Sequence, residues 1–290
     1  MKLLTQAPSE SCIASSVIAL HCSLGSGHQW GRLAEELASR HQVITPDISG
    51  YGSNDVGRFL LPTTMAEELD LLSDRLGEAI GPIHLVGHSY GGALAFKIAT
   101  DSPLASRVRS LTLIEPVLPT TLLENGSDRR LYEHFVRLAH AVYQDLWNGL
   151  SWEAVEKFLA FWKGSGPPEQ LSSKALVRMI EHAGKLAFDF TAILAERNVT
   201  AAAAAIRVPT LLLSGGLSPY LTQRVVGRLA STIAGAEAKH LPAAGHMLPI
   251  SHAAVINPHI VRHIARADEF ANLSLAFDES PAQAEASVKD

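Results

Sequence analysis

Ile83-His84-Leu85-Val86-Gly87-His88-Ser89-Tyr90-Gly91-Gly92-Ala93-Leu94 is the stretch whose reading decides the fold. Its first four residues are an apolar run of strand length, opened by the helix-stopping pair Gly81-Pro82. From Tyr90 to about Thr100 the pattern is helical. Strand therefore passes to helix through a turn centred on Ser89, with glycines on both sides. Those glycines are needed because a Cβ there would run into the neighbouring strand and helix. A strand turning directly into a helix is the repeating unit of an α/β architecture.

The same alternation extends in both directions. Upstream, Ser16-Val17-Ile18-Ala19-Leu20-His21 reads as a buried strand ending in a Gly/Ser-rich loop. A helical segment follows through Trp30, Leu33 and Leu37, and Val43-Ile44-Thr45 is a second strand. Thr64-Met65-Ala66-Glu67 is a capping box that starts a helix predicted to continue to about Ile80. Downstream come strands at Leu111-Thr112-Leu113-Ile114-Glu115, at Thr210-Leu211-Leu212-Leu213 and at Ala238-Lys239-His240-Leu241. A helix is expected after Ser218-Pro219, with Ser218 as N-cap, and a closing helix from about His252 to Ala265.

This order predicts an α/β fold with a mostly parallel, doubly wound sheet of six or seven strands. Residues 117–206 have helical periodicity throughout and read as an inserted cap over the sheet's carboxyl edge, where such folds bind ligands. The alanine run 201–205 suits a short helix. The core is then 1–116 and 207–267. Beyond Asp268 the apolar residues thin out, and 268–290 is expected to be a disordered tail.

Bulk properties narrow the function classes. The 290 residues are 47% hydrophobic and 18% charged, below the ~25% charged that is typical of globular chains, which favours a large buried core. A net charge of −5 without a basic stripe argues against nucleic acid or an anionic membrane surface as partner. Only Cys12 and Cys22 are present, so no disulfide framework is implied. The N-terminus lacks the apolar stretch of a signal sequence, and no apolar window spans a bilayer. The expectation is a cytoplasmic protein acting on a small molecule; self-association into a homo-oligomer stays open.

Gly87-His88-Ser89-Tyr90-Gly91 fits G-x-S-x-G, the turn that presents a serine hydroxyl as a nucleophile. A serine needs a general base at neutral pH. Among thirteen histidines, His246 in Ala244-Gly245-His246-Met247 lies in a loop after the last strand and before the closing helix. His84 sits within a strand and His88 beside the serine, while several others fall on helices where a packed or solvated histidine is the ordinary reading.

With these two motifs and the loop His21-Cys22-Ser23-Leu24-Gly25, the chain from about 16 to 266 resembles the α/β-hydrolase superfamily, in which the triad histidine comes last. The resemblance implies an oxyanion hole made by the N–H of Tyr90, next to the nucleophile, and of Ser23, which follows the position of the family's His-Gly. Cys22 replaces that glycine here. Most relatives place the acid after the strand that follows the cap, where this chain has Ser218. Some place it at the end of the strand after the nucleophile helix, where Glu115 stands. Glu115 is the favoured acid, because a carboxyl ending an apolar strand asks for a partner. A helix-capping or solvent-facing role for Glu115 remains as the alternative, and Asp47, which resembles a structural turn residue, is the next candidate acid.

The resemblance implies acyl transfer. Ser89 attacks an ester carbonyl with His246 as base, Ser23 and Tyr90 hold the oxyanion, and Glu115 orients His246. No metal or organic cofactor is required. The same residues would serve carbon–carbon bond or thioester hydrolysis or acyl transfer, and a non-catalytic ligand receptor on this fold is the more distant rival. The superfamily's epoxide hydrolases and haloalkane dehalogenases use an Asp nucleophile, which Ser89 argues against. Cap aromatics, including Tyr143, Trp147, Trp152, Phe158, Trp162 and Phe190, are expected mainly to pack the insertion, with two or three lining an apolar pocket.

Overall fold

The computed structural model describes residues 15–54, 62–123, 126–166 and 171–278. Six strands, β1 (Ser16–Leu20), β2 (Gln42–Ile44), β3 (Ile83–His88), β4 (Val108–Ile114), β5 (Thr210–Gly215) and β6 (Glu237–Leu241), form one sheet in the order β2-β1-β3-β4-β5-β6. Every neighbouring pair is parallel. The order reverses around β1 and β3, so the loops after these two strands meet at the sheet's carboxyl edge.

The central strands are buried along their whole length, as their continuous apolar runs require. On one face Trp30, Leu33 and Leu37 pack with Ile256, Ile260 and Ile264 of the closing helix. On the other face a larger core joins the helices Met65–Leu71, Tyr90–Thr100 and Tyr220–Thr232 to the helical insertion between β4 and β5. That insertion contains the helices Arg129–Trp147, Ser151–Lys163, Ser173–Glu181, Lys185–Ala195 and Val199–Ala205.

Three local expectations need correction. The helix opened by the Thr64–Glu67 capping box is present, but it is interrupted at Leu72 and a second piece, Ser73–Gly77, ends short of Ile80. The helix after Pro219 is capped by Pro219 with no side-chain hydrogen bond, and the buried Ser218 hydroxyl has no hydrogen-bond partner among the described residues. The closing helix runs Ala253–Asp278, into the segment 268–290 expected to be disordered. Asp268 itself accepts hydrogen bonds from Arg109 on β4 and pairs with His84 on β3, which ties this part of the helix to the sheet. Residues 279–290 lie outside the described ones. Among the described residues no helix is long and apolar enough to cross a membrane.

Candidate active site

β3 ends at His88, and the helix Tyr90–Thr100 starts at the residue after Ser89. Ser89 joins them with φ 57° and ψ −119°, a conformation that L-residues rarely adopt and that neighbouring contacts must hold. The Ser89 N–H donates to Ile114 O on β4, and its carbonyl accepts from the Val117 N–H. The flanking glycines are sterically required. A Cβ on Gly91 would lie 2.3 Å from His21 O, and one on Gly87 would lie 2.3 Å from Gly91 O. The turn thus depends on two backbones approaching closer than any side chain would allow.

The serine hydroxyl lies 3.0 Å from His246 Nε2, and His246 Nδ1 lies 2.6 Å from Glu115 Oε2. All three side chains are buried. Their carriers are the turn after β3, the residue just past β4 and the loop after β6, which are 131 and 157 residues apart along the chain for the two contacts. Parallel strands bring them to one edge. Glu115 has φ 44°, so its backbone is bent where β4 ends. Its other oxygen, Oε1, accepts the Gly215 N–H at 2.7 Å, which fixes the carboxylate from the side of β5.

Two aromatic rings hold the imidazole. Trp162 stacks on His246 with centroids 4.3 Å apart and planes 19° from parallel. His88 lies against it at 4.9 Å, and its Nε2 donates to His246 O at 2.9 Å. Burial, and then the adjacent His246, push the His88 pKa well below its usual value, which keeps the ring neutral and able to act as that single-proton donor.

The loop after β1 carries Ser23 and its neighbour Cys22. Cys22 is accommodated: its sulfur reaches Gln29 Oε1 at 3.3 Å, and its carbonyl accepts from His21 Nδ1 at 2.7 Å. The second His21 nitrogen, Nε2, accepts the Ile48 N–H at 2.9 Å, which requires a neutral ring. Burial lowers the His21 pKa to about 4, against the raising effect of the Cys22 carbonyl and of Asp47 and Asp189. Asp47 accepts from Gly27 N, Ser53 N and Ser53 Oγ, so it organises its own turn, and it is not paired with His246.

Sequence reasoning missed a buried polar cluster beside Ser23. The Ser23 hydroxyl donates to Asp189 Oδ2 at 2.5 Å, and the Tyr51 hydroxyl donates to the same oxygen at 2.6 Å. Lys185 bonds to Asp189 Oδ1 and, at 2.8 Å, to Glu68 Oε2, which also accepts from Tyr90 OH at 3.3 Å. Burial works against the Lys185 ammonium, but the Asp189 and Glu68 carboxylates outweigh it and raise its pKa. The only sequence signal was Lys185 and Asp189 one helical turn apart, which is ordinary on an exposed helix face. Here both are buried, and they clamp the Ser23 loop to the insertion.

Ser23, Ser89, Tyr90 and Asp189 share one narrow pocket with Phe135, Phe158, Trp162 and Phe190. Four insertion aromatics line it, rather than two or three, while Tyr143, Trp147 and Trp152 are exposed. Trp162 Nε1 is buried without a hydrogen-bond partner among the described residues.

Comparisons agree with this architecture. Residues 17–258 match the family model described as "Alpha/beta hydrolase family". The chain is 26% identical over 222 residues to N-formylmaleamate deformylase of Pseudomonas putida, covering 76% of this chain and 77% of that protein. It is 37% identical over 91 residues to the magnesium-chelatase 30 kDa subunit of Rhodobacter capsulatus, but that match spans only 30% of this chain and 31% of the relative. Haloalkane dehalogenase from Bradyrhizobium elkanii, in a loop variant, superposes with a TM-score of 0.68 at 22% identity, over 91% of this chain and 93% of that one. The superposition speaks for the fold alone. Together, the parallel sheet, the serine on its strained turn after β3 and a family match over most of the chain place it: this protein belongs to the alpha/beta hydrolase family.

Proposed function

We propose that this protein is a serine hydrolase that cleaves carboxylic esters through a Ser89–His246–Glu115 triad. The observation that carries the reading is the unbroken hydrogen-bonded chain from Ser89 Oγ through both His246 nitrogens to Glu115, buried beneath an aromatic-lined pocket. His246 Nε2 takes the Ser89 proton as Oγ attacks the acyl carbon, and the tetrahedral oxyanion settles between the N–H groups of Ser23 and Tyr90. Tyr90 opens its helix, so its N–H has no intrahelical acceptor and sits at the positive end of the helix dipole. His246 then gives its proton to the leaving oxygen. Water, activated by the same imidazole, releases the acyl group and restores Ser89.

Residues 117–206 act in this reading as a cap that supplies the acyl pocket. Asp189 holds the Ser23 side chain and so fixes the loop that carries one oxyanion donor. Ser89 also separates the chain from dehalogenation, the activity named for its structural neighbour, because a serine that displaced a halide would be left as a stable alkyl ether, whereas an Asp nucleophile leaves an alkyl ester that water can cleave.

Two carboxylates sharing one ammonium beside the pocket predict the substrate charge. In a panel of p-nitrophenyl esters, neutral short-to-medium acyl chains should exceed anionic hemi-esters in kcat/KM by on the order of tenfold or more, because like charges meeting in a desolvated site repel. A preference for the anionic esters would contradict the pocket assignment. A second reading, cleavage of an N-acyl bond, is favoured by the deformylase relative. Matched p-nitroanilides in the same panel separate the two, since faster anilide than ester turnover would select it.

A further inference from the structure

The far end of β3 carries a second cluster of side chains that the hydrolytic chemistry does not use. His84 lies five residues before Ser89, near the opposite end of β3 and roughly 16 Å away at strand spacing. Its ring meets that of His41, just before β2, edge to face with centroids 5.5 Å apart. Asp268 of the closing helix completes the group, and one donor atom from each of the three lies within 4.8 Å of the others.

An ion pair that pins the closing helix would need only His84, Asp268 and Arg109. His41 is superfluous to it, and both imidazoles are buried. Each ring is also held through Nδ1 by a serine hydroxyl: His41 by Ser15 Oγ at 2.8 Å and His84 by Ser110 Oγ at 2.8 Å. A hydroxyl can donate or accept, so each ring can carry its proton on Nδ1 and turn Nε2 outward as a lone pair. Histidine ligands are typically held in this way, by a hydrogen bond to the second nitrogen.

We propose that His41, His84 and Asp268 form a binding site for a first-row divalent transition-metal ion, with Zn²⁺ as the best fit. Two imidazoles and a carboxylate suit that ion, with solvent taking the fourth tetrahedral position. Metal–ligand bonds of about 2.0–2.2 Å place donor atoms roughly 3.4 Å apart. His84 Nε2 and Asp268 Oδ1 are already 3.1 Å apart, so His41 makes most of the adjustment. On binding, the His84 proton moves from Nε2 to Nδ1, toward Ser110, and the ring stays neutral. Arg109 keeps its 2.8 Å bond to Asp268 as an outer-shell partner, and its charge limits the affinity. The ion would clamp the closing helix to the starts of β2 and β3, remote from Ser89.

The test is calorimetric titration of ZnSO4 into EDTA-treated protein freed of any histidine tag, with Asp268→Asn and His41→Gln as variants. One equivalent should bind wild type with micromolar or tighter Kd, and each variant should weaken Kd at least about tenfold with an unchanged circular dichroism spectrum. Should a variant lose its fold, Co²⁺ added to wild type decides instead, since tetrahedral coordination gives strong visible absorption. Absence of saturable Zn²⁺ binding, variants that bind as wild type does, or Co²⁺ that stays in its weakly absorbing octahedral form would each overturn the assignment.

Discussion

Glu115→Gln is expected to lower kcat by roughly 10³–10⁴ while leaving KM nearly unchanged. The reason lies in which way the new amide must point. The Gly215 N–H occupies Oε1 of Glu115 and needs an acceptor, so the amide oxygen of glutamine takes that place. Its NH2 then faces His246 Nδ1, which must give up its proton and accept. The imidazole proton is driven to Nε2, against the Ser89 hydroxyl, where a base is needed and a donor is useless. Loss of the carboxylate charge also leaves the imidazolium of the transition state without a partner. Ser218→Ala should change kcat less than about threefold, since the Ser218 hydroxyl has no hydrogen-bond partner among the described residues. Steady-state kinetics on a p-nitrophenyl ester would check both; a large loss in Ser218→Ala with a small one in Glu115→Gln would refute the acid assignment.

The second large effect is on stability in mild acid. The His21 pKa falls from 6.5 to about 4 on folding, because the buried ring is closed between a carbonyl it donates to and an N–H it accepts from. For a histidine depressed in the folded state, the unfolded chain binds the proton more readily. Its stability contribution is therefore complete above pH 6.5, falls as pH drops from there, and is lost by about pH 4. At 1.36 kcal/mol per unit the loss is about 3 kcal/mol. His88 adds to the loss in the same direction. Urea denaturation at pH 7.5, 5.5 and 4.5 should show wild type losing more stability than His21→Gln, whose side chain does not titrate. Equal losses in the two proteins would contradict the neutral buried His21.

Much of this was legible in the sequence because it is local. Strand-length apolar runs marked five of the six strands within a few residues, β6 with its Lys239 and His240 being the exception, and Gly87 and Gly91 announced a turn too tight for side chains. Glu115 was singled out by the family resemblance together with its place, a carboxyl closing an otherwise apolar strand, and its Oε2 lies 2.6 Å from His246 Nδ1. What escaped depends on distant contacts. The helix beyond Asp268 has a weak apolar pattern of its own, and it is secured through Arg109 and His84, which lie 159 and 184 residues away. Lys185 and Asp189 have a spacing that is ordinary on an exposed helix face, and only the fold buries them against Glu68, Tyr51 and Ser23. Trp162 was one of several insertion aromatics that the sequence does not tell apart, and only the fold stacks it on His246.

Activation of Ser89 by His246 is the central claim, and a fluorophosphonate probe tests it most directly. The protein would be labelled, digested and mapped by mass spectrometry beside Ser89→Ala and His246→Ala. Stoichiometric labelling confined to Ser89, absent in Ser89→Ala and strongly slowed in His246→Ala, is the predicted result. Folded wild-type protein that takes no label, or takes it elsewhere, would contradict the account and favour a ligand receptor built on the same fold.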